Sequence, residues 1–264
     1  MNMPSTSTRP LAIVTGASNG IGYQLALQLA QHGHDLVATG RSEKIFQTAD
    51  DFRRYGAGVT PVQADLSKYE EVERFWKEAT ALGRPVAVAV INAGIGIGGA
   101  AFWNTDLEEE LKLIDVNVTS VVHLAKRVVT HMQANQSGRI LFTSSISATQ
   151  PTPYETVYGP SRAFVFSFAE SLREELKTEG VSVTALLPGA TDSDFHARAG
   201  MGNTDIGRMK KNDRVLVAKQ GYEAMMKGKD HVVGGDWATK RTGFFNRFLT
   251  ETYKAARQGN AAKP

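Results

Sequence analysis

Short β-favouring runs alternate along this chain with longer stretches in which apolar residues return every three or four positions. The runs occupy residues 11–14, 36–39, 59–63, 86–91, 140–143 and 181–187, and a short pair at 232–233 gives a seventh. Each has the length and the Val, Ile and Leu content of a strand. The run Val86-Ala87-Val88-Ala89-Val90-Ile91 shows no polar alternation, as expected of a strand covered on both faces. Between the runs the spacing is helical. Ile21, Leu25 and Leu29 stand four apart, and residues 107–132 read as one long helical stretch. Phe164, Val165, Phe168, Leu172 and Leu176 make an apolar stripe over residues 158–177. Strands and helices in this order predict an α/β fold, a doubly wound, mostly parallel sheet with helices on both faces. No repeat and no linker divides the chain. Residues 11–264 are therefore read as a single domain, and the polar residues 1–10 as a flexible N-terminal tail.

Composition narrows the function. A length of 264 residues suits one α/β domain, and an apolar content of 42% suffices for one substantial core. The formal charge of +3 is too small to argue for nucleic acid. There are no cysteines, which excludes disulfides and thiolate metal sites and fits a cytoplasmic protein. The six histidines are scattered without metal-ligand spacing, so no metal is expected. No apolar run approaches membrane-spanning length.

In a doubly wound sheet ligands bind at the carboxyl ends of the strands, so the residues closing each run carry the chemistry. The first run enters Thr15-Gly16-Ala17-Ser18-Asn19-Gly20-Ile21-Gly22, and a helical pattern follows. Glycines there let the backbone turn tightly and approach a ligand. The free N–H groups and dipole of the helix that starts at the turn suit a pyrophosphate. The spacing G-x-x-x-G-x-G is a variant of the dinucleotide fingerprint. The second run closes on Gly40-Arg41-Ser42, with no carboxylate before Glu43. An arginine that forks onto a 2′-phosphate, assisted by a serine hydroxyl, favours NADP(H) over NAD(H). The third closes on Ala64-Asp65-Leu66, where Asp65 bonds an adenine amino group or caps a helix starting near Ser67. The fourth closes on Asn92-Ala93-Gly94, and Asn117 lies on the long helical stretch. The fifth closes on Thr143-Ser144-Ser145. Tyr158-Gly159-Pro160-Ser161-Arg162 then opens a helix that puts Tyr158 and Arg162 on one face.

Taken together, these pieces resemble the short-chain dehydrogenase/reductase family, in closest detail its bacterial members of unassigned substrate. The matching residues are Thr15 to Gly22, Asp65, Asn92-Ala93-Gly94, Asn117, Ser145, Tyr158 and Pro188-Gly189, in family order from about residue 11 to residue 191. The resemblance implies a Rossmann-like sheet, a nicotinamide cofactor, and carbonyl reduction or secondary alcohol oxidation by hydride transfer. It implies a cofactor site built from Gly16, Ser18, Asn19, Gly20, Ile21, Gly22, Arg41, Ser42, Asp65, Leu66, Asn92, Ala93, Gly94, Tyr158, Arg162, Pro188, Gly189 and Thr191. Tyr158 would be the general acid and Ser145 would bond the substrate oxygen. Arg162 would hold the nicotinamide ribose and bias Tyr158. Asn117 would anchor water or helix backbone, or hold a helix kink. The family pattern is Tyr-x-x-x-Lys, and Arg162 stands at the lysine position. A guanidinium supplies charge but does not readily release a proton, which leaves the relay towards Asn117 open. The alternative reading is therefore an NADP(H)-binding protein with weak or no catalysis.

Beyond residue 191 the resemblance thins. Residues 192–211 follow the sixth strand, where this family carries a substrate lid. Residues 239–258 read as one basic amphipathic helix with Phe244, Phe245, Phe248, Leu249 and Tyr253 on one side. That face is expected to pack on its own or a partner subunit rather than on a membrane. A small carbonyl or alcohol substrate and a homo-oligomer, dimer or tetramer, complete the expectation.

Overall fold

The structure is a computed structural model and describes residues 9–263. Seven strands form one sheet: β1 Leu11–Thr15, β2 Asp35–Gly40, β3 Val59–Gln63, β4 Val86–Ile91, β5 Gly138–Thr143, β6 Val181–Pro188 and β7 His231–Gly234. Their order is β3-β2-β1-β4-β5-β6-β7, and every pairing is parallel. Several ends run one or two residues past the apolar runs, because backbone pairing does not stop where side-chain polarity changes.

The helices are α1 Gly20–Gln31, α2 Lys44–Arg53, α3 Tyr69–Thr80, α4 Leu107–Ile114, α5 Ser120–Ala134 and α6 Tyr158–Glu175. Two single turns follow, α7 Phe195–Arg198 and α8 Asp205–Arg208, then α9 Arg214–Met226, α10 Trp237–Phe245 and α11 Glu251–Ala262. One core cluster joins the sheet to α3, α5 and α6 through Phe75, Leu124, Val128 and Val165. The other joins it to α1, α2 and α9 through Leu25, Leu29, Phe52 and Met225. Each such fully buried side chain contributes ~1.5–3 kcal/mol. Strand order reverses between β1 and β4, which opens a crevice at their carboxyl ends. Thr15 fixes that point: its Oγ1 accepts the N–H groups of Asn92 and Ala93, both at 2.9 Å.

Four expectations need correction. The stretch 107–132 is not one regular helix, because Asp115–Thr119 forms a π-helical segment between α4 and α5. Asn117 sits inside it with both ends of its amide engaged. Its Oδ1 accepts Ile95 N–H (2.9 Å), and its Nδ2 donates to Ile95 O (2.9 Å) and Ser161 Oγ (3.1 Å). The widened turn points the amide at these partners. Residues 239–258 are likewise not one helix. Leu249 is extended and Thr250 caps α11, accepting from Tyr253 N–H. Phe244, Phe245, Phe248 and Tyr253 are all exposed on this chain. Asp65 does not cap a helix at Ser67, since α3 begins at Tyr69 after an extended Lys68. It binds Ser67 instead, through its N–H (3.2 Å) and hydroxyl (2.8 Å). Finally, Arg9 belongs to the fold and not to a tail, for its Nη2 donates to Ala30 O (2.9 Å) and its guanidinium pairs with Asp35. The expected tail at residues 1–8 lies outside the described residues.

Candidate active site

A continuous cavity of about 1100 Å³ runs along the carboxyl ends of the strands. One end is the β1–α1 loop. Gly16 and Gly20 there have φ of +70° and +59°, a region that L side chains rarely adopt. Asn19 caps α1, its Oδ1 accepting Gly20 N–H (2.8 Å), so the positive end of the helix faces the cavity. A side chain at Gly20 would have only Ser193 Cβ within reach, at 3.5 Å, so the space above the turn is open to a ligand. Arg41 and Asp65 border this end, and the Asp65 pKa lies below the usual carboxylate value. Burial pushes that carboxyl up, but the two Ser67 bonds and the Arg41 charge outweigh it.

The other end is built by β5 and α6. Ser144 Oγ donates to Arg162 O (2.7 Å) and ties the strand end to the helix. Ser145 follows in extended conformation, and its hydroxyl accepts Ser147 N–H (3.1 Å). Tyr158 begins α6, buried, with the Arg162 Cζ 5.2 Å from its ring centroid. Burial raises the phenol pKa. The Arg162 charge and a hydrogen bond to Ser145 pull it partly back, yet the net direction is up. The hydroxyl therefore stays protonated near neutral pH, as a proton donor must. Arg162 is also buried. Its Nη1 donates to Thr143 O (3.3 Å), and its Nη2 fits behind Gly94 so closely that a Cβ there would collide with it. Among the described residues its Nε and the Thr143 hydroxyl are buried without a partner.

Every expected site residue except Ser42 and Asn117 lines this cavity. Ser42 stands exposed on the loop after β2. The Asn117 side chain is committed to Ile95 and Ser161. Among the other lining residues, Phe195 falls in the segment expected to meet the substrate, whereas His196, Glu155 and Gln258 were not anticipated. His196 of α7 has a buried, unpartnered Nδ1, and burial, with Lys211 adding to it, lowers its pKa to about 4. Phe195 packs on Tyr158 with ring centroids 5.3 Å apart. Glu155 is buried beside Tyr158. From α11, Gln258 donates to Glu155 Oε2 (3.2 Å) and accepts from Gln150 (2.7 Å). No local signal marks Glu155 or Gln258, because their pairing joins positions far apart in the chain.

The residues fit a nicotinamide dinucleotide. The α1 terminus and open glycine turn suit a pyrophosphate, and the orphaned Arg162 Nε and Thr143 hydroxyl lie at the far end, where polar partners are lacking. Comparison with known proteins agrees. The short chain dehydrogenase family model matches residues 10–203. An uncharacterized short-chain type dehydrogenase/reductase of Sinorhizobium fredii is 35% identical over 72% of this chain and 73% of its own length. The 17-beta-hydroxysteroid dehydrogenase type 3 of Mus musculus is 34% identical over 70% of this chain, though the match spans 62% of that protein. A solved short-chain dehydrogenase from Sphingobium yanoikuyae, in complex with NADPH, aligns with a TM-score of 0.79 and 26% identity. That alignment covers 85% of this chain and 87% of the other. A match of this extent on a sheet of this order shows that the chain belongs to the short-chain dehydrogenase/reductase family and is an oxidoreductase.

Proposed function

We propose that the protein is an NADP(H)-dependent carbonyl reductase, or a secondary alcohol dehydrogenase in the reverse direction. One observation carries the reading: Ser145 and Tyr158 face the same cavity whose other end holds the glycine turn and Arg41. A bound nicotinamide cofactor would supply hydride chemistry to a carbonyl carbon. Tyr158 gives its phenolic proton to the carbonyl oxygen, and Ser145 bonds that oxygen as charge gathers on it. Arg162 stabilises the tyrosinate left behind and presents donors to the nicotinamide ribose. Asn117 holds the loop after β4 against α6. Asn92, Ala93, Gly94, Pro188, Gly189 and Thr191 wall the nicotinamide end, and Ser18, Asn19, Ile21, Gly22 and Leu66 the adenosine end. Ser42 assists Arg41 only by a turn of its side chain towards the cavity.

Ile97, Ile146, Phe195, Ile206 and Met209 line the cavity around Tyr158 and the lid at 192–211. They suit an apolar carbonyl compound, and the hydroxysteroid in the mouse relative's name is of that character. The exposed Leu107, Leu111 and Phe164 on α4 and α6 favour a homo-oligomer that covers them. No described helix is long and apolar enough to cross a membrane, and we assign the protein to the cytoplasm. The second reading, cofactor binding with weak catalysis, is favoured by Arg162 alone.

Cofactor choice is tested by titrating NADPH and NADH into the parent and Arg41→Ala proteins. NADPH is expected to bind the parent more tightly. Arg41→Ala is expected to lose ~1.5–3 kcal/mol with NADPH, the range for a charge-assisted hydrogen bond, and little with NADH. Equal affinities in the parent would refute the assignment.

A further inference from the structure

Glu155 lies three residues before Tyr158, in the turn that enters α6, and its carbonyl accepts Gly159 N–H (3.1 Å). It is 5% exposed, yet it lines the same cavity as Tyr158. The loop after β4 closes on it, for a Cβ at Gly98 would stand 2.9 Å from Glu155 Cγ. Among the described residues its carboxyl forms no salt bridge, and its side-chain hydrogen bond is the one from Gln258 Nε2. Among the titratable and charged residues that line the same cavity are Tyr158 and Arg162 on α6, His196 on α7 and Arg257 on α11. The Arg257 guanidinium is committed elsewhere, to Gln150 Oε1 and Asn246 Oδ1, both at 2.7 Å. Burial therefore pushes the Glu155 carboxyl up to about 7, with only the Gln258 bond opposing. The Glu155 carboxylate, once charged, also raises the Tyr158 pKa.

Carbonyl reduction leaves Tyr158 without its proton. Arg162 cannot replace it, because a guanidinium stays protonated. The Asn117 side chain offers no proton either, because both ends of its amide are bonded. We propose that Glu155 resupplies the proton that Tyr158 gives up, the task that Arg162 cannot perform. This rests on the reductase reading above. In the step, the Tyr158 O–H bond breaks and its proton passes to the substrate oxygen. The phenolate then takes the proton of the Glu155 carboxylic acid, directly or through one water. The carboxylate that remains regains a proton from solvent at the cavity mouth beside α11. No electrons move in this relay, and alcohol oxidation runs it backwards. Glu155 acts through Tyr158 and does not touch the substrate.

The test compares parent, Glu155→Gln and Glu155→Asp. NADPH consumption on a panel of ketones is followed from about pH 5 to about pH 9, with NADPH binding measured by fluorescence. Glu155→Gln is expected to bind NADPH as the parent does. It should lose about ten- to hundred-fold in kcat with KM little changed, and lose the inflection near pH 7. Glu155→Asp should recover most of the rate. Independently of turnover, the infrared difference between parent and Glu155→Gln should show a protonated carboxyl band below neutral pH. Glu155→Gln with the parent's kcat and pH profile overturns the relay, as does a slower variant that keeps the inflection. So does a carboxyl band already absent at the lowest pH, a readout that stands even if Glu155→Gln binds no NADPH. A parent that binds NADPH but reduces no ketone overturns the reductase reading and the relay with it. A working parent beside an unaffected Glu155→Gln overturns the relay alone.

Discussion

Arg162 stands where the family pattern read from the sequence has lysine, and its surroundings show what the exchange asks of the fold. The planar guanidinium lies in the narrow space behind Gly94, where a Cβ would collide with Nη2. A bond to Thr143 O holds it there, and Nε is left without a partner. From that place it supplies charge to Tyr158 but releases no proton. We expect Arg162→Lys to raise kcat by about ten- to hundred-fold, equivalent to ~1.4–2.7 kcal/mol of barrier, because an ammonium can exchange protons. Steady-state rates over a pH series decide the matter. A parent as fast as its lysine variant, with the same pH dependence, would mean that position 162 need supply only charge, the proton coming from elsewhere. Ser145, Tyr158 and Arg162 were legible in the sequence because each closes a strand or opens a helix at a fixed spacing. Glu155 was not. A lone carboxylate in a loop gives no sign of burial, and its state depends on Gln258, a hundred positions later.

At the scale of elements, local pattern located α1, α6 and the stretches that hold α4–α5 and α10–α11, and missed the interruptions in those two stretches. The π-helical segment at Asp115–Thr119 exists because the Asn117 amide reaches across to the loop after β4 and to α6, contacts without trace in the local apolar period. The break before α11 was readable in principle, since Thr250 is a good cap, but the aromatic run masked it. The break lets α11 fold back onto the loop between β5 and α6. Arg257 bonds Gln150 and Asn246, Gln258 bonds Gln150 and Glu155, and Lys254 Nζ donates to Thr149 O (3.2 Å). The helix thereby becomes a wall of the substrate end of the cavity. We expect Arg257→Ala, which removes two charge-assisted bonds, to loosen this wall. The KM for a ketone should rise about ten-fold or more while NADPH affinity holds. Limited proteolysis should also cut faster near Leu249. Unchanged KM and proteolysis would show that α11 is held by packing alone.

Over the whole molecule, the parallel sheet, its two covered faces and the cavity at the strand ends follow from the alternation of runs and helical stretches, while the order of the strands does not. The unpolar run in β4 is the clearest case, for it lies mid-sheet between β1 and β5 with helices on both sides. What the alternation does not contain is how the segment after β6 folds over the cavity. There Phe195 rests on Tyr158, and Asn19 Nδ2 donates to Asp194 Oδ2 (2.7 Å), so this segment touches both Tyr158 and the glycine turn. These contacts join three distant parts of the chain, and pattern along one segment cannot report them. On the reductase reading, Tyr158 is the acid when a carbonyl is reduced in this cavity. The direct measurement is NADPH consumption on one ketone that the parent reduces, repeated with Tyr158→Phe under the same NADPH saturation. That exchange removes only the hydroxyl, so NADPH affinity should stay near the parent's while kcat falls by about 10²- to 10⁴-fold, the usual weight of a general acid. A Tyr158→Phe protein that binds NADPH and turns over as fast as the parent would contradict it.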